Sequence, residues 1–202
     1  MKKRVLSMFM ALALCLTLLP APAWAAETEN NIAAQANTAN VAEVTIDGKT
    51  TQYAGIVDAF TAAQGAESAT VKLLKDVTIP TNADGHSFGI ELKGGNITLD
   101  LNGCTIQTTG GASGFVQRDA VFYIEGGESS HSSLTVQDSS TGGKIVQPNG
   151  GQAIHVGFNG TLTVERGVTI EVTSNNESNP TSPIRDKNCA VFLNGASHLC
   201  LR

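Results

Sequence analysis

Aromatic residues make up only 5% of this 202-residue chain and charged residues only 15%. With 21 glycines beside them, these scarcities fit a thin, turn-rich β fold rather than a thick core built on large rings. Long apolar runs are also missing, with one exception at the N-terminus, Val5 to Leu19. That run is short for a membrane span, and no later segment is apolar enough to cross a bilayer. Basic residues are in deficit, 13 against 18 acidic ones, and three of the 13 are Lys2, Lys3 and Arg4. The ten that remain beyond residue 25 leave a net charge of −8. Such a balance disfavours nucleic acid and anionic membranes, both of which are held through Lys and Arg. Cysteine is sparse as well: Cys104, Cys189 and Cys200 remain after Cys15. An odd number leaves at least one thiol unpaired within the chain. The four histidines, His86, His131, His155 and His198, show no metal-ligand spacing, so neither a metal nor another cofactor is expected.

What the chain does contain is a repeat. Leu162-Thr163-Val164-Glu165 alternates apolar and polar residues, Arg166-Gly167 makes a corner, and Val168-Thr169-Ile170 alternates again. Alternation at period two is the signature of a strand with one buried face. Related copies start at Val71, Ile97, Leu134 and Leu199, so the five starts are 26, 37, 28 and 37 residues apart. Periods of this size mark repeat architectures, in which each unit buries its apolar face only against a neighbour. A further strand precedes the later copies: Gly89-Ile90-Glu91-Leu92, Ala120-Val121-Phe122-Tyr123, Ala153-Ile154-His155-Val156 and Ala190-Val191-Phe192-Leu193. The pattern predicts an all-β fold, a parallel β-helix with three short strands per coil and Gly or Asn at the corners.

The organisation along the chain follows. Residues 1–25 read as a secretory signal peptide: a basic start, an apolar stretch and a small-residue site at Ala23-Trp24-Ala25. Residues 26–42 hold almost no large apolar side chains and predict a disordered linker. Residues 43–202 form the β-helix domain, with an N-terminal cap over 43–69 and coils over 70–202. Within the cap, Ile56, Val57, Phe60 and Ala63 recur at helical spacing, which predicts one small capping helix over Tyr53–Gln64. Two loops interrupt the coils, at 139–143 and 174–187. The chain stops at Arg202, four residues into a repeat. That predicts a truncated domain whose open C-terminal rung self-associates.

These features together resemble secreted bacterial surface proteins with a right-handed, pectate-lyase-like β-helix. The residues that carry the likeness are the leader, the small helix, Thr70 to Ile79 and Ile97-Thr98-Leu99-Asp100-Leu101-Asn102-Gly103-Cys104-Thr105-Ile106. The likeness covers residues 43–202 and implies a secreted or cell-surface location. It implies no single activity, since such folds serve polysaccharide lyases, hydrolases and adhesin-like surface proteins alike. The clustered aspartates of the polygalacturonase-like hydrolases and the arginine-centred motif of the pectate lyases are both missing from this sequence. An adhesin-like, non-enzymatic module is therefore expected, with glycan or a cell-surface protein as partner. The alternative is the N-terminal part of a polysaccharide lyase or glycoside hydrolase whose catalytic residues lie beyond residue 202.

Stacking the copies yields columns. Ile97, Leu134, Leu162 and Leu199 form one inward column, and Leu99, Val136, Val164 and Leu201 the next. Outward columns run through Thr98, Thr135, Thr163 and Cys200, and through Asp100, Gln137, Glu165 and Arg202. The last of these offers one carboxylate pair, Asp100 and Glu165, two rungs apart and so roughly 10 Å from each other. That separation is near the range of an inverting glycosidase, although outward polar residues on a solvated face are the usual case. No catalytic residue is assigned. On the strand that precedes each copy, the outward column is read as Glu91, Phe122, His155 and Phe192, the candidate ligand-binding residues. Two outward aromatics are unusual in a chain so poor in them, and flat rings suit sugars or apolar side chains.

Overall fold

The computed structural model describes residues 39–80, 88–109, 120–148, 151–173 and 189–202. The leader, most of the linker and the 174–187 loop lie outside them. The described chain is all-β with one helix. A hairpin comes first, β1 (Ala42–Ile46) and β2 (Lys49–Tyr53), then helix α1 (Ile56–Gln64). Thirteen strands follow. They are β3 (Ser68–Leu73), β4 (Val77–Ile79), β5 (Phe88–Leu92), β6 (Gly95–Asp100), β7 (Thr105–Thr108), β8 (Ala120–Ile124) and β9 (Ser132–Gln137). Then come β10 (Lys144–Pro148), β11 (Gln152–Val156), β12 (Gly160–Val164), β13 (Thr169–Thr173), β14 (Cys189–Leu193) and β15 (His198–Leu201).

From β3 onward the chain visits three sheets in strict rotation. Sheet A takes β3, β6, β9, β12 and β15, sheet B takes β4, β7, β10 and β13, and sheet C takes β5, β8, β11 and β14. Every pairing among these strands is parallel. Each circuit therefore lies on the one before it, and side chains of successive circuits fall into columns.

The columns of sheet A follow the sequence reading. Ile97 pairs with Leu134, Leu134 with Leu162 and Leu162 with Leu199. Leu99, Val136 and Val164 stack in register in the same way. Leu99, Leu134, Val136 and Leu162 are all 0% exposed. Burying one such side chain stabilises by roughly 1.5–3 kcal/mol, so a column of them supplies much of the cohesion between circuits. The first copy is displaced by two residues from its expected place: Val71 lies beside Leu99, and Ala69 beside Ile97. A shift of two keeps each side chain on its own face, so Val71 stays inward and fully buried. The columns thin out at the last circuit, where Leu193, Leu199 and Leu201 are 44, 38 and 72% exposed.

At the other end sheet A is extended by the hairpin, which reverses direction. β1 pairs antiparallel with both β3 and β2. The two-residue turn Asp47-Gly48 has positive φ at both positions, 50° and 74°, the geometry that joins twisted antiparallel strands with least strain. β2 takes the residues expected to start the helix, so α1 begins at Ile56 rather than Tyr53. Its buried stripe, Ile56, Ala59, Phe60 and Ala63, faces the core. The hairpin also corrects the linker boundary, because Ala42 is paired and 0% exposed.

The corner between sheets A and B is held by carboxylates. Asp138 Oδ1 accepts the backbone N–H groups of Gly103 at 2.7 Å and Ser140 at 3.3 Å, and its Oδ2 accepts that of Gly143 at 2.7 Å. Asp76 Oδ1 accepts the N–H of Thr105 at 2.7 Å. Loop 139–143 is thus a corner tied to the circuit before it. Burial pushes the Asp138 carboxyl upward, but the N–H groups of Gly143, Gly103 and Ser140 outweigh it and hold the group below the ordinary carboxylate value. A carboxylate with a depressed folded pKa stabilises above its unfolded pKa, and that stability is lost as pH falls through the folded value. Asp138→Ala is therefore expected to cost about 1–3 kcal/mol at neutral pH. The gap from wild type should narrow as urea titrations are repeated toward pH 2, and a gap that stays constant would contradict this account.

Candidate functional site

The outer face of sheet C carries the aromatic column, in a corrected register. Phe122 pairs with Ile90 and Ile154, residues of the inward column, and is itself 0% exposed. Its ring meets Phe60 of α1 edge-on, with centroids 5.4 Å apart. Phe122 is a core residue and leaves the candidate site. The outward column is Glu91, Tyr123, His155 and Phe192.

The misplacement has a local cause. Three of the four strands put a small residue in one slot: Gly89, Ala153 and Ala190. A Cβ on Gly89 would lie 2.8 Å from the Val121 carbonyl oxygen and 3.2 Å from side-chain atoms of Ile79 and Thr108, so this slot is tight. In β8 the slot is filled by Val121, and the alanine, Ala120, sits one position earlier, paired with Phe88 and Gln152. Aligning on the alanine slides β8 by one residue and turns its faces over. Tyr123, the residue the sequence reading passed over, is marked only by counting from Val121.

Tyr123, His155 and Phe192 form a ladder. Ring centroids lie 4.8 Å apart between Tyr123 and His155, and 4.9 Å between His155 and Phe192, with interplanar angles of 61° and 56°. These spacings are those of adjacent strands, so the rings are neighbours because the backbone stacks, edge-on between Tyr123 and His155 and tilted between His155 and Phe192. His155 sits in the middle and is only 7% exposed, while Tyr123 and Phe192 are half-buried. His155 Nδ1 donates to Gln152 Oε1 at 2.8 Å. Burial pushes the imidazole below the ordinary histidine value, and the Glu125 carboxylate works against that shift. At neutral pH the ladder is therefore uncharged at its centre. Glu91 continues the column at one end as an exposed carboxylate, paired with Lys93 at 3.0 Å. Toward the corner with sheet A, Phe158 is 46% exposed, and the Tyr123 hydroxyl lies against the backbone of Gly157.

The other candidates fare differently. Asp100 is 5% exposed, and its Oδ1 accepts the backbone N–H groups of Asn102 at 3.0 Å and Ser139 at 2.9 Å. It is a corner residue, like Asp138, and not an outward carboxylate. Glu165 faces Arg202 at 3.9 Å. Cys104, Cys189 and Cys200 are free thiols. Burial raises Cys104, with Asp76, Asp138 and Asp100 adding to the effect, and burial raises Cys189. Such thiols are poor nucleophiles. His86 lies outside the described residues. Among those residues, no three His, Cys, Asp or Glu side chains are placed to share a metal ion, and no helix is long and apolar enough to cross a membrane.

Comparison of the chain with protein-family models, with curated proteins and with solved structures returned no match in any of the three.

Proposed function

We propose that the chain is a right-handed parallel β-helix, of the pectate-lyase-like kind, acting outside the cell as a non-enzymatic, adhesin-like surface module. The rotation of the chain through three parallel sheets supports the helix. The leader-like residues 1–25 support secretion. A binding role is carried by one observation, the ladder of Tyr123, His155 and Phe192 on an outer face, with Glu91 at its end. Structure alone has little need of three adjoining rings on the outer side of a sheet in a chain so poor in aromatics. Tyrosine and phenylalanine presented this way supply contact area at low entropic cost. A cell-surface glycan or protein is the partner.

The test is capture of glycans and surface proteins by the wild-type protein and by a Tyr123→Ala plus Phe192→Ala variant. Loss of the two rings is expected to weaken capture at least tenfold, as for residues at the centre of a binding surface. A folded double variant that binds as well as wild type would place the partner elsewhere. Catalysis is not needed for this role, and Asp100, committed to its corner, does not favour it.

A further inference from the structure

Four asparagines in this chain are followed by glycine: Asn102, Asn149, Asn159 and Asn194. Asn149 and Gly150 lie outside the described residues. The dipeptide has a chemistry of its own. Glycine has no side chain to shield its backbone nitrogen, which can attack the amide carbon of the asparagine before it. The three described pairs all stand at corners, but the structure holds them in two different ways.

Asn102 and Asn159 are staples between circuits. Both take positive φ, 50° and 52°, which asparagine tolerates. Asn102 Nδ2 donates to the Leu73 carbonyl and Asn159 Nδ2 to the Gly127 carbonyl, each at 3.0 Å and each in the circuit before. The nitrogens that would attack are committed as well. The Gly103 N–H donates to Asp138 Oδ1 at 2.7 Å, and the Gly160 N–H to the Gly157 carbonyl at 3.1 Å. An amide nitrogen attacks only after its proton leaves, and a carboxylate already holding that proton opposes the negative charge left behind. Asn194 is under neither restraint. It and Gly195 are exposed. Its backbone N–H is tied to the Val156 carbonyl at 2.8 Å, but among the described residues neither its side-chain amide nor the Gly195 N–H has a hydrogen-bond partner. A Cβ on Gly195 would meet nothing nearer than Phe158 at 3.8 Å, so the corner has room for a ring. Ring closure needs the reacting atoms about 3–3.5 Å apart. The Asn194 side chain reaches that by free rotation, whereas Asn102 and Asn159 must first break the bonds that hold them.

We propose that Asn194 is a site of spontaneous covalent modification, where the folded chain deamidates through a succinimide while Asn102 and Asn159 are protected. The Gly195 nitrogen gives its proton to hydroxide and bonds to Asn194 Cγ. The Cγ–Nδ2 bond breaks, and Nδ2 takes up a proton and leaves as ammonia. Water then adds to one of the two ring carbonyls and opens the ring. Opening at Cγ gives aspartate, and opening at the main-chain carbonyl gives isoaspartate. Either product adds one negative charge to a chain whose residues beyond 25 already sum to −8. Isoaspartate also lengthens the main chain by one carbon between β14 and β15. That corner is tied to the circuit before it through the Asn194 N–H and through the Ala196 carbonyl, which accepts the Asn159 N–H at 3.2 Å, so the last circuit is loosened where it joins the rest. The chemistry does not depend on the role proposed for the aromatic ladder.

The experiment is peptide mapping by mass spectrometry of the full chain, held in warm, mildly alkaline buffer either folded or in urea. Deamidation shows as a gain of one mass unit, and enzymatic methylation of isoaspartate counts the isomerised product. In the folded protein the Asn194 peptide is expected to react about tenfold faster or more than those of Asn102 and Asn159, because the latter must first give up their hydrogen bonds. In urea the three should react at similar rates, since each is followed by glycine. Asn194→Gln should abolish the mass gain and the isoaspartate at that corner. Asp138→Ala, which releases the Gly103 N–H, should speed Asn102 relative to Asn159 in the same molecule. Circular dichroism checks that each variant is folded. Equal rates at the three sites of the folded chain overturn the proposal. So does a faster reaction at Asn102 or Asn159, or an Asn194 that stays unmodified in the folded chain while reacting in urea.

Discussion

Replacing Val136 with aspartate is expected to abolish the folded state. Val136 is 0% exposed and stands in the middle of a column, with Leu99 on one side and Val164 on the other. Its column neighbours, Leu99 and Val164, offer no side-chain donor to a carboxylate placed there. Burying an unpaired charge costs several kcal/mol even after relaxation, against a total stability of about 5–15 kcal/mol for an ordinary domain. The damage also spreads, because in a stacked repeat each circuit is stabilised by its neighbours. Losing the circuit of β9 uncouples those of β6 and β12. Far-UV circular dichroism with a urea titration checks the expectation. The Asp variant should show no cooperative transition, while Val136→Ala should remain folded and lose roughly 2 kcal/mol. A cooperative, native-like transition in Val136→Asp would mean that this position is not in the core.

Phe122→Ala is expected to cost about 3–5 kcal/mol, the usual range for a large aromatic removed from a core. The ring is fully buried, and its edge-on contact with Phe60 is one of the links between the second circuit and the capping helix. Part of the loss is that aromatic contact, about 0.5–1.5 kcal/mol beyond area burial. The melting temperature should fall by roughly 6–20 °C for a chain of this size. Tyr123→Ala, one residue along, is the informative comparison. Tyr123 is half-buried on the outer face, so its loss should cost clearly less than that of Phe122. Equal costs, or a larger cost at Tyr123, would reverse the assignment of faces on β8.

That single strand shows what the amino-acid order reveals and where it fails. The copies beginning at Ile97, Leu134, Leu162 and Leu199 could be aligned on sight because apolar residues recur at every second position with nothing between them to confuse the count. Their register in sheet A is the one read from sequence. The repeat pattern sets Val71 two residues out and Phe122 one residue out. The first error is harmless because the face is kept, and the second moves an aromatic from surface to core. β10 does not stand out in the repeat pattern, since the corner at Ser139–Gly143 separates it from β9 by more than the usual gap. The hairpin was half legible: Asp47-Gly48 is a turn signal, but Lys49-Thr50-Thr51-Gln52-Tyr53 has no apolar alternation, because four of its five residues are exposed. Asp100 misled for another reason. Its parity on β6 is that of an outward residue, yet the carboxylate folds back onto the corner amides, and no periodicity encodes a side chain that bends toward its own backbone.

The unequal spacing of the copies is accommodated mainly on one edge. Between sheets B and C the chain runs from Ile79 to Phe88, Thr108 to Ala120, Pro148 to Gln152 and Thr173 to Cys189, so the intervening stretches number 8, 11, 3 and 15 residues. The strands on either side nevertheless meet their neighbours in parallel. Lengthening such a connection costs only the slowly growing entropy of closing it, about 0.6 kcal/mol per doubling, whereas one residue added inside a strand inverts every side chain beyond it. A change in the length of the chain is therefore tolerated between sheets B and C at little energetic cost, whereas the same change inside a strand would break the stacked frame.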